Sequence, residues 1–235
     1  MSDATVKVEN ARFIVTMDAS RRIISDGSLV VQGQNIIQVG KTEDLAGVQT
    51  DSVIDASDMV VTPGFVNGHM HISYAHATRG IFPDDLGSAY LPNVFKLQAI
   101  MTEEEEYHTS LLAITELLKY GTTTFVDPGS TKYLDRCMDA YKQAGCRIIV
   151  GAHVTDKTNQ LNLPVSSTAD ALQTIETTIE RFDRKLDGRI RAWAMPFAPN
   201  VCTDELLLGS KRLADRYDTG LTLHYNNGPN YVEAS

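Results

Sequence analysis

Short apolar runs open the chain: Val6–Asn10, Arg12–Thr16, Ser28–Val31 and Asn35–Val39. Turn-forming residues divide them at Asp18 to Ser20, Ser25-Asp26-Gly27, Gly33-Gln34 and Gly40. Strands this short, punctuated this way, predict a small antiparallel sheet over residues 1–58. From Met59 the rhythm changes. Strand-like runs at Val60–Val66, Thr122–Val126, Arg147–Val154, Arg189–Phe197 and Leu221–Leu223 alternate with helical stretches. The clearest helix starts at Thr102-Glu103-Glu104-Glu105, a capping-box pattern with acids at the positive end of the dipole. It continues through Leu111, Leu112, Ile114, Leu117 and Leu118 and stops at Gly121. Further helices are predicted over 132–144, 167–185 and 203–217. One strand per helix gives a parallel sheet, either open or closed into a barrel. The pattern therefore predicts an α/β fold, with residues 1–58 as a β segment and 59–235 as successive β/α units.

Composition narrows the function classes. The 235 residues are 43% hydrophobic and 22% charged, which excludes a disordered or fibrous chain. No apolar run approaches the ~18 residues of a membrane span. The net charge of −9 disfavours a nucleic-acid partner, because an acidic surface repels phosphate. Cys137, Cys146 and Cys202 are odd in number and form no C-x-x-C, so they suit neither a disulfide framework nor a thiolate zinc site. The N-terminus lacks a basic, apolar leader, and the expected location is cytoplasmic.

The candidate chemistry lies at the end of the first parallel strand, Pro63-Gly64-Phe65-Val66-Asn67-Gly68-His69-Met70-His71. Strand side chains alternate, so His69 and His71 project to one side and Met70 to the other. Two imidazoles at a strand exit form a grip for a divalent metal; the alternative is a pair of surface histidines. In parallel α/β proteins the C-terminal strand ends are where active sites gather, which favours the metal. The last strand run also ends in a histidine, His224. Three histidines converging on one ion, with a fourth position open, suit a hydrolytic metal.

At this point the sequence resembles the metal-dependent amidohydrolase superfamily. The segment from Val8 to Gly40 resembles its N-terminal sandwich strands, and "VVTPGFVNGHMH" its first barrel strand with the H-x-H pair. "ELLKYGTTTFVD" is similar to its first helix and second strand, "PFAPNVCTDELL" to its fourth strand, and "LTLHYNNG" to its fifth. The nearest branch is that of cytosine, guanine and S-adenosylhomocysteine deaminases and triazine hydrolases. The resemblance implies a partial (β/α)8 TIM barrel, strands one to five, beside part of a small β-sandwich. It implies His69, His71 and His224 as ligands of one divalent ion, zinc or alternatively iron. Strand four carries no lysine to bridge a second metal. The implied reaction is hydrolysis of a carbon–nitrogen bond by metal-activated water, of amidohydrolase, deaminase or chlorohydrolase type, on a small-molecule substrate.

The family's strand-six histidine and strand-eight aspartate have no counterpart among these five strands, so no catalytic acid or base is assigned. The chain is therefore expected to be the N-terminal half of such a hydrolase, the alternative being a truncated, non-catalytic fragment or one half of a split enzyme; the expected partner is a second copy of the chain in a homo-oligomer or a complementing C-terminal half. Four substrate contacts are considered. Asn227 stands where deaminating relatives carry a glutamate; an amide orients a substrate but delivers no proton. His153, near the end of strand three, either faces the cavity or sits satisfied beneath the rim. His76 and Arg79 lie on the long loop Ser73–Asn93, which lines the pocket or is plain exposed structure.

Overall fold

The computed structural model describes residues 3–161 and 163–225. Its contacts divide the chain into two units, residues 1–64 and 65–235.

The N-terminal unit is built on β1 (Thr5–Val15), β2 (Ile23–Gln32), β3 (Asn35–Lys41), β4 (Ser52–Asp55) and β5 (Val60–Val61). The two runs expected at Val6–Asn10 and Arg12–Thr16 are one strand, with the pairing to β2 slipping between Val8 and Ala11. The sheet order is β3-β2-β1-β4, with β5 also on β1. The expectation of an antiparallel sheet is corrected here: β4 and β5 both pair with β1 in parallel. Ala11, Ile14, Leu29 and Ala56 form its small core.

The run Val60–Val66 is not one strand. Val60-Val61 belongs to the N-terminal sheet, and the first parallel strand is β6 (Phe65–Asn67). Pro63 between them offers no N–H to a ladder, which ends one pairing before the next begins.

The second unit continues with α1 (Ala75–Thr78), α2 (Tyr90–Ile100), α3 (Glu103–Lys119), β7 (Thr122–Val126), α4 (Leu134–Ala144), β8 (Arg147–Val150), α5 (Thr168–Phe182), β9 (Ile190–Ala192) and α6 (Asp204–Arg216). Strands β6-β7-β8-β9 lie in that order, all parallel. Beyond the named strands the ladder continues as single bridges, Val154 to Pro196 and Ala194 to Leu221, so Leu221 marks a fifth position. The expected strands three to five are therefore shorter in regular pairing than their apolar runs. Successive β/α units on one parallel sheet make part of a TIM barrel, as expected. Phe125, Ile148, Val150, Ile190, Ala192 and Ala194 fill the strand side of its core, and Ile114, Tyr141, Ile175, Ile179 and Leu206 the helix side.

Helix ends follow the sequence. Thr102 and Glu105 form both bonds of the capping box. Ser167 and Thr203 cap α5 and α6 by accepting backbone N–H groups. Gly121 (φ 81°) and Gly145 (φ 73°) turn the chain out of α3 and α4 in the left-handed region.

Candidate metal centre

The strand order brings the ends of β6 to β9 and of the fifth position to one rim, and there the imidazoles meet. After Asn67 the ladder continues one step, Met70 N–H donating to the Val126 carbonyl at 2.9 Å. The Asn67 side-chain oxygen accepts the His69 N–H at 3.0 Å. Met70 packs on the core, and His69 and His71 bring their Nε2 atoms to 3.2 Å on the other side. His224 enters from the fifth position. Its N–H donates to the Phe197 carbonyl at 2.8 Å, and its Nδ1 lies 3.3 Å from the same oxygen. With Nδ1–H directed there, Nε2 keeps a lone pair, 3.4 Å from His71 Nε2. One ring nitrogen from each of the three lies within 4.8 Å of the others.

These residues fit a divalent ion. Zinc–nitrogen bonds of about 2.0–2.1 Å in a tetrahedron place neighbouring nitrogens about 3.3–3.4 Å apart. Two of the three edges, at 3.2 and 3.4 Å, are of that length. Ligating imidazoles must be neutral. Burial lowers the pKa of His69 and His224 and, with the charges of those two neighbours, pushes His71 down to about 3. Each of these shifts favours the neutral form that ligation requires.

Aromatic rings fix the cluster. Phe197 stacks on His224 (centroids 4.7 Å, 23°) and Tyr74 on His71 (4.9 Å, 23°). His153 stands edge-on to Phe197 at 4.7 Å, with centroids 5.4 Å from His224 and 6.1 Å from His71. Its ring borders a cavity of about 380 Å³ lined by Phe95, Gln98, Ser130, Lys132 and Leu163 among others.

The structure thus brings His69, His71, His224 and His153 together. It does not bring His76 and Arg79 into that cavity. His76 Nε2 (3.0 Å) and the Arg79 guanidinium (2.9 Å) both engage the Glu116 carboxylate on α3. These bonds hold Glu116 down at about 2, with Arg79 the larger cause. A charged partner elsewhere, not the pocket, decides where these two side chains go. The loop that carries them is also largely helical, containing α1 and the start of α2. Asn227 lies outside the described residues. Four contributors escaped the sequence reading. Tyr74 and Phe197 stack on ligands. Gln98 lines the cavity. Glu106 is fully buried and accepts the N–H groups of Lys132 and Tyr133 at the start of α4. Only Phe197 had a signal, its place at the end of strand four.

The sequence profile described as Amidohydrolase family matches residues 60–235. The 5'-deoxyadenosine deaminase of Methanosarcina barkeri is 32% identical over 224 residues, 94% of this chain and 49% of that protein. The 5-methylthioadenosine/S-adenosylhomocysteine deaminase of Carboxydothermus hydrogenoformans is 27% identical, over 95% and 49% of the two chains. The chain spans about half the length of these curated relatives. Among solved structures, the zinc-complexed atrazine chlorohydrolase of Arthrobacter aurescens TC1 superposes with a TM-score of 0.80 at 21% identity, covering 94% of this chain and 52% of that one. The ring of histidines at the strand ends, the parallel sheet beneath it and the matched profile lead to one assignment: the chain belongs to the amidohydrolase family.

Proposed function

We propose that His69, His71 and His224 hold one divalent ion, zinc in first place and iron as the alternative, in a hydrolase that displaces a substituent from a carbon bound to nitrogen. The observation that carries this reading is the pair of Nε2 separations, 3.2 and 3.4 Å, in a set of imidazoles whose burial favours the neutral form. Zinc, when bound, supplies a Lewis acid that makes water nucleophilic near neutral pH. The chain's own residues do the rest. His224 is oriented by the Phe197 carbonyl, and His71 by the Tyr74 ring. The cavity beside them offers the Phe95 ring and Leu163 to a flat apolar face, and Gln98 and Ser130 to polar edges. That lining suits a nitrogen heterocycle, and the relatives' names make adenine nucleosides the first substrates to try. Asn227, three residues after His224, would orient such a ring without protonating it. The remaining acid and base groups would come from a C-terminal half. Three buried thiols without disulfides suit the cytoplasm.

Equilibrium dialysis tests the metal site. The chain is expected to take up one zinc, and His69→Ala to weaken it at least tenfold, with His108→Ala, an exposed surface histidine, unchanged. Equal uptake by wild type and His69→Ala would remove the reading. Ammonia release from 5'-deoxyadenosine by the zinc-loaded chain, alone and with a complementing half of a relative, tests the reaction.

A further inference from the structure

Among the described residues, two buried ring nitrogens in the cluster have no hydrogen-bond partner: Nδ1 of His71 and Nε2 of His153. A buried polar group left unpaired is costly, so each requires an explanation. The two are complementary. His71 turns Nε2 toward His69 and His224, so in the ligating tautomer its proton sits on Nδ1, a donor. A neutral imidazole carries one ring proton, and the Pro128 backbone beside His153 favours it on Nδ1, away from the unpartnered Nε2. Its Nε2 is therefore a bare acceptor. The ring borders the cavity, yet Nε2 itself is buried, and the ring lies among those of His71, His224 and Phe197.

His153 is also placed with little freedom. Its backbone N–H donates to the Gly129 carbonyl at 3.0 Å. Gly129 has φ 91°, and a Cβ there would come within 2.8 Å of the His153 nitrogen and 2.9 Å of its Cδ2. The glycine is what lets the β7–α4 loop lie against the imidazole. The loop is in turn tied down by Asp127, which accepts from the Ser130 and Thr131 hydroxyls.

We infer that His153 is a positioning residue for His71: its Nε2 accepts the His71 Nδ1–H through one buried water, across the 6.1 Å between ring centroids, and holds that ring in the ligating tautomer. The inference rests on the zinc site proposed above. It gives His153 the part that a carboxylate or carbonyl commonly plays behind a metal-bound histidine.

The test uses the whole chain, ¹⁵N-labelled at histidine, with zinc alone as the probe. Wild type, His153→Gln and His153→Phe are compared by long-range ¹H–¹⁵N spectra and by competitive zinc titration. His71 is expected to carry its proton on Nδ1 in wild type. His153→Phe should bind zinc about 10–100-fold more weakly. His153→Gln, whose amide oxygen still accepts, should recover most of that loss. If His153→Phe fails to fold, His153→Leu replaces it as the variant without an acceptor. Wild-type affinity and an unchanged His71 tautomer in the acceptor-free variant would overturn the inference, as would a glutamine variant as weak as the phenylalanine one, which would mark a packing role. Failure of the metal site itself looks different: zinc would then leave the His69, His71 and His224 resonances of wild type unmoved.

Discussion

Asp127 illustrates how setting overrides residue type. It closes β7 fully buried, and desolvation raises its carboxyl pKa to about 6 despite the hydroxyls of Thr131 and Ser130 that favour the charge. The folded state therefore holds this proton more tightly than the unfolded chain does. Its favourable effect on stability is present below the ordinary carboxylate range and is lost as pH rises to about 6. Asp127→Asn should flatten that decline between pH 4 and 6, read as the urea midpoint against pH; an unchanged slope would show that the proton on Asp127 plays no part. In the sequence Asp127 is only the residue that follows the apolar run Thr122–Val126. At this scale, legibility depended on whether a side chain's fate was set locally. The alternation of His69, Met70 and His71 is local and was readable. The capture of His76 and Arg79 by Glu116 joins residues 40 and 37 positions apart, and nothing near either of them announces it.

Elements followed the same rule. The capping box at Thr102 and Glu105 lies within one turn and was legible before any fold was known. Thr102→Ala should cost about 1 kcal/mol of stability in denaturant unfolding; a change near zero would show that α3 is held by packing alone. Helix α2 was missed within the expected loop. Pro92 reads as a breaker, yet it stands in the first turn, where a missing N–H costs nothing. The split of Val60–Val66 was missed for the converse reason: a continuous apolar run concealed a change of sheet at Pro63. Gly129 links two elements through its positive φ. Gly129→Ala should destabilise by roughly 1–3 kcal/mol from backbone strain, with a further loss from the clash at His153. A stability equal to wild type would show that the loop relaxes freely.

Across the whole molecule, the order of parallel strands was predictable because each β/α unit repeats one pattern. The mixed pairing of the N-terminal sheet was not, since β4 and β5 reach β1 only through long connections. Each unit carries apolar surface on its sheet. In the N-terminal unit Ile23, Ile36, Val53 and Ile54 are exposed, and in the second unit β6 lies at the sheet's edge with Phe65 and Val66 exposed. Exposed apolar strands at an edge recruit partners. The chain is therefore expected to self-associate with rising concentration in sedimentation velocity, and Val66→Lys to shift it toward monomer; a monomer at all concentrations would contradict this. What these surfaces position is a single group of imidazoles drawn from residues 69, 71 and 224. Zinc-edge X-ray absorption on the loaded chain examines that group directly. Three imidazole nitrogens at about 2.0–2.1 Å are expected. A shell containing sulfur at about 2.3 Å, or oxygen ligands without imidazole scattering, would contradict this.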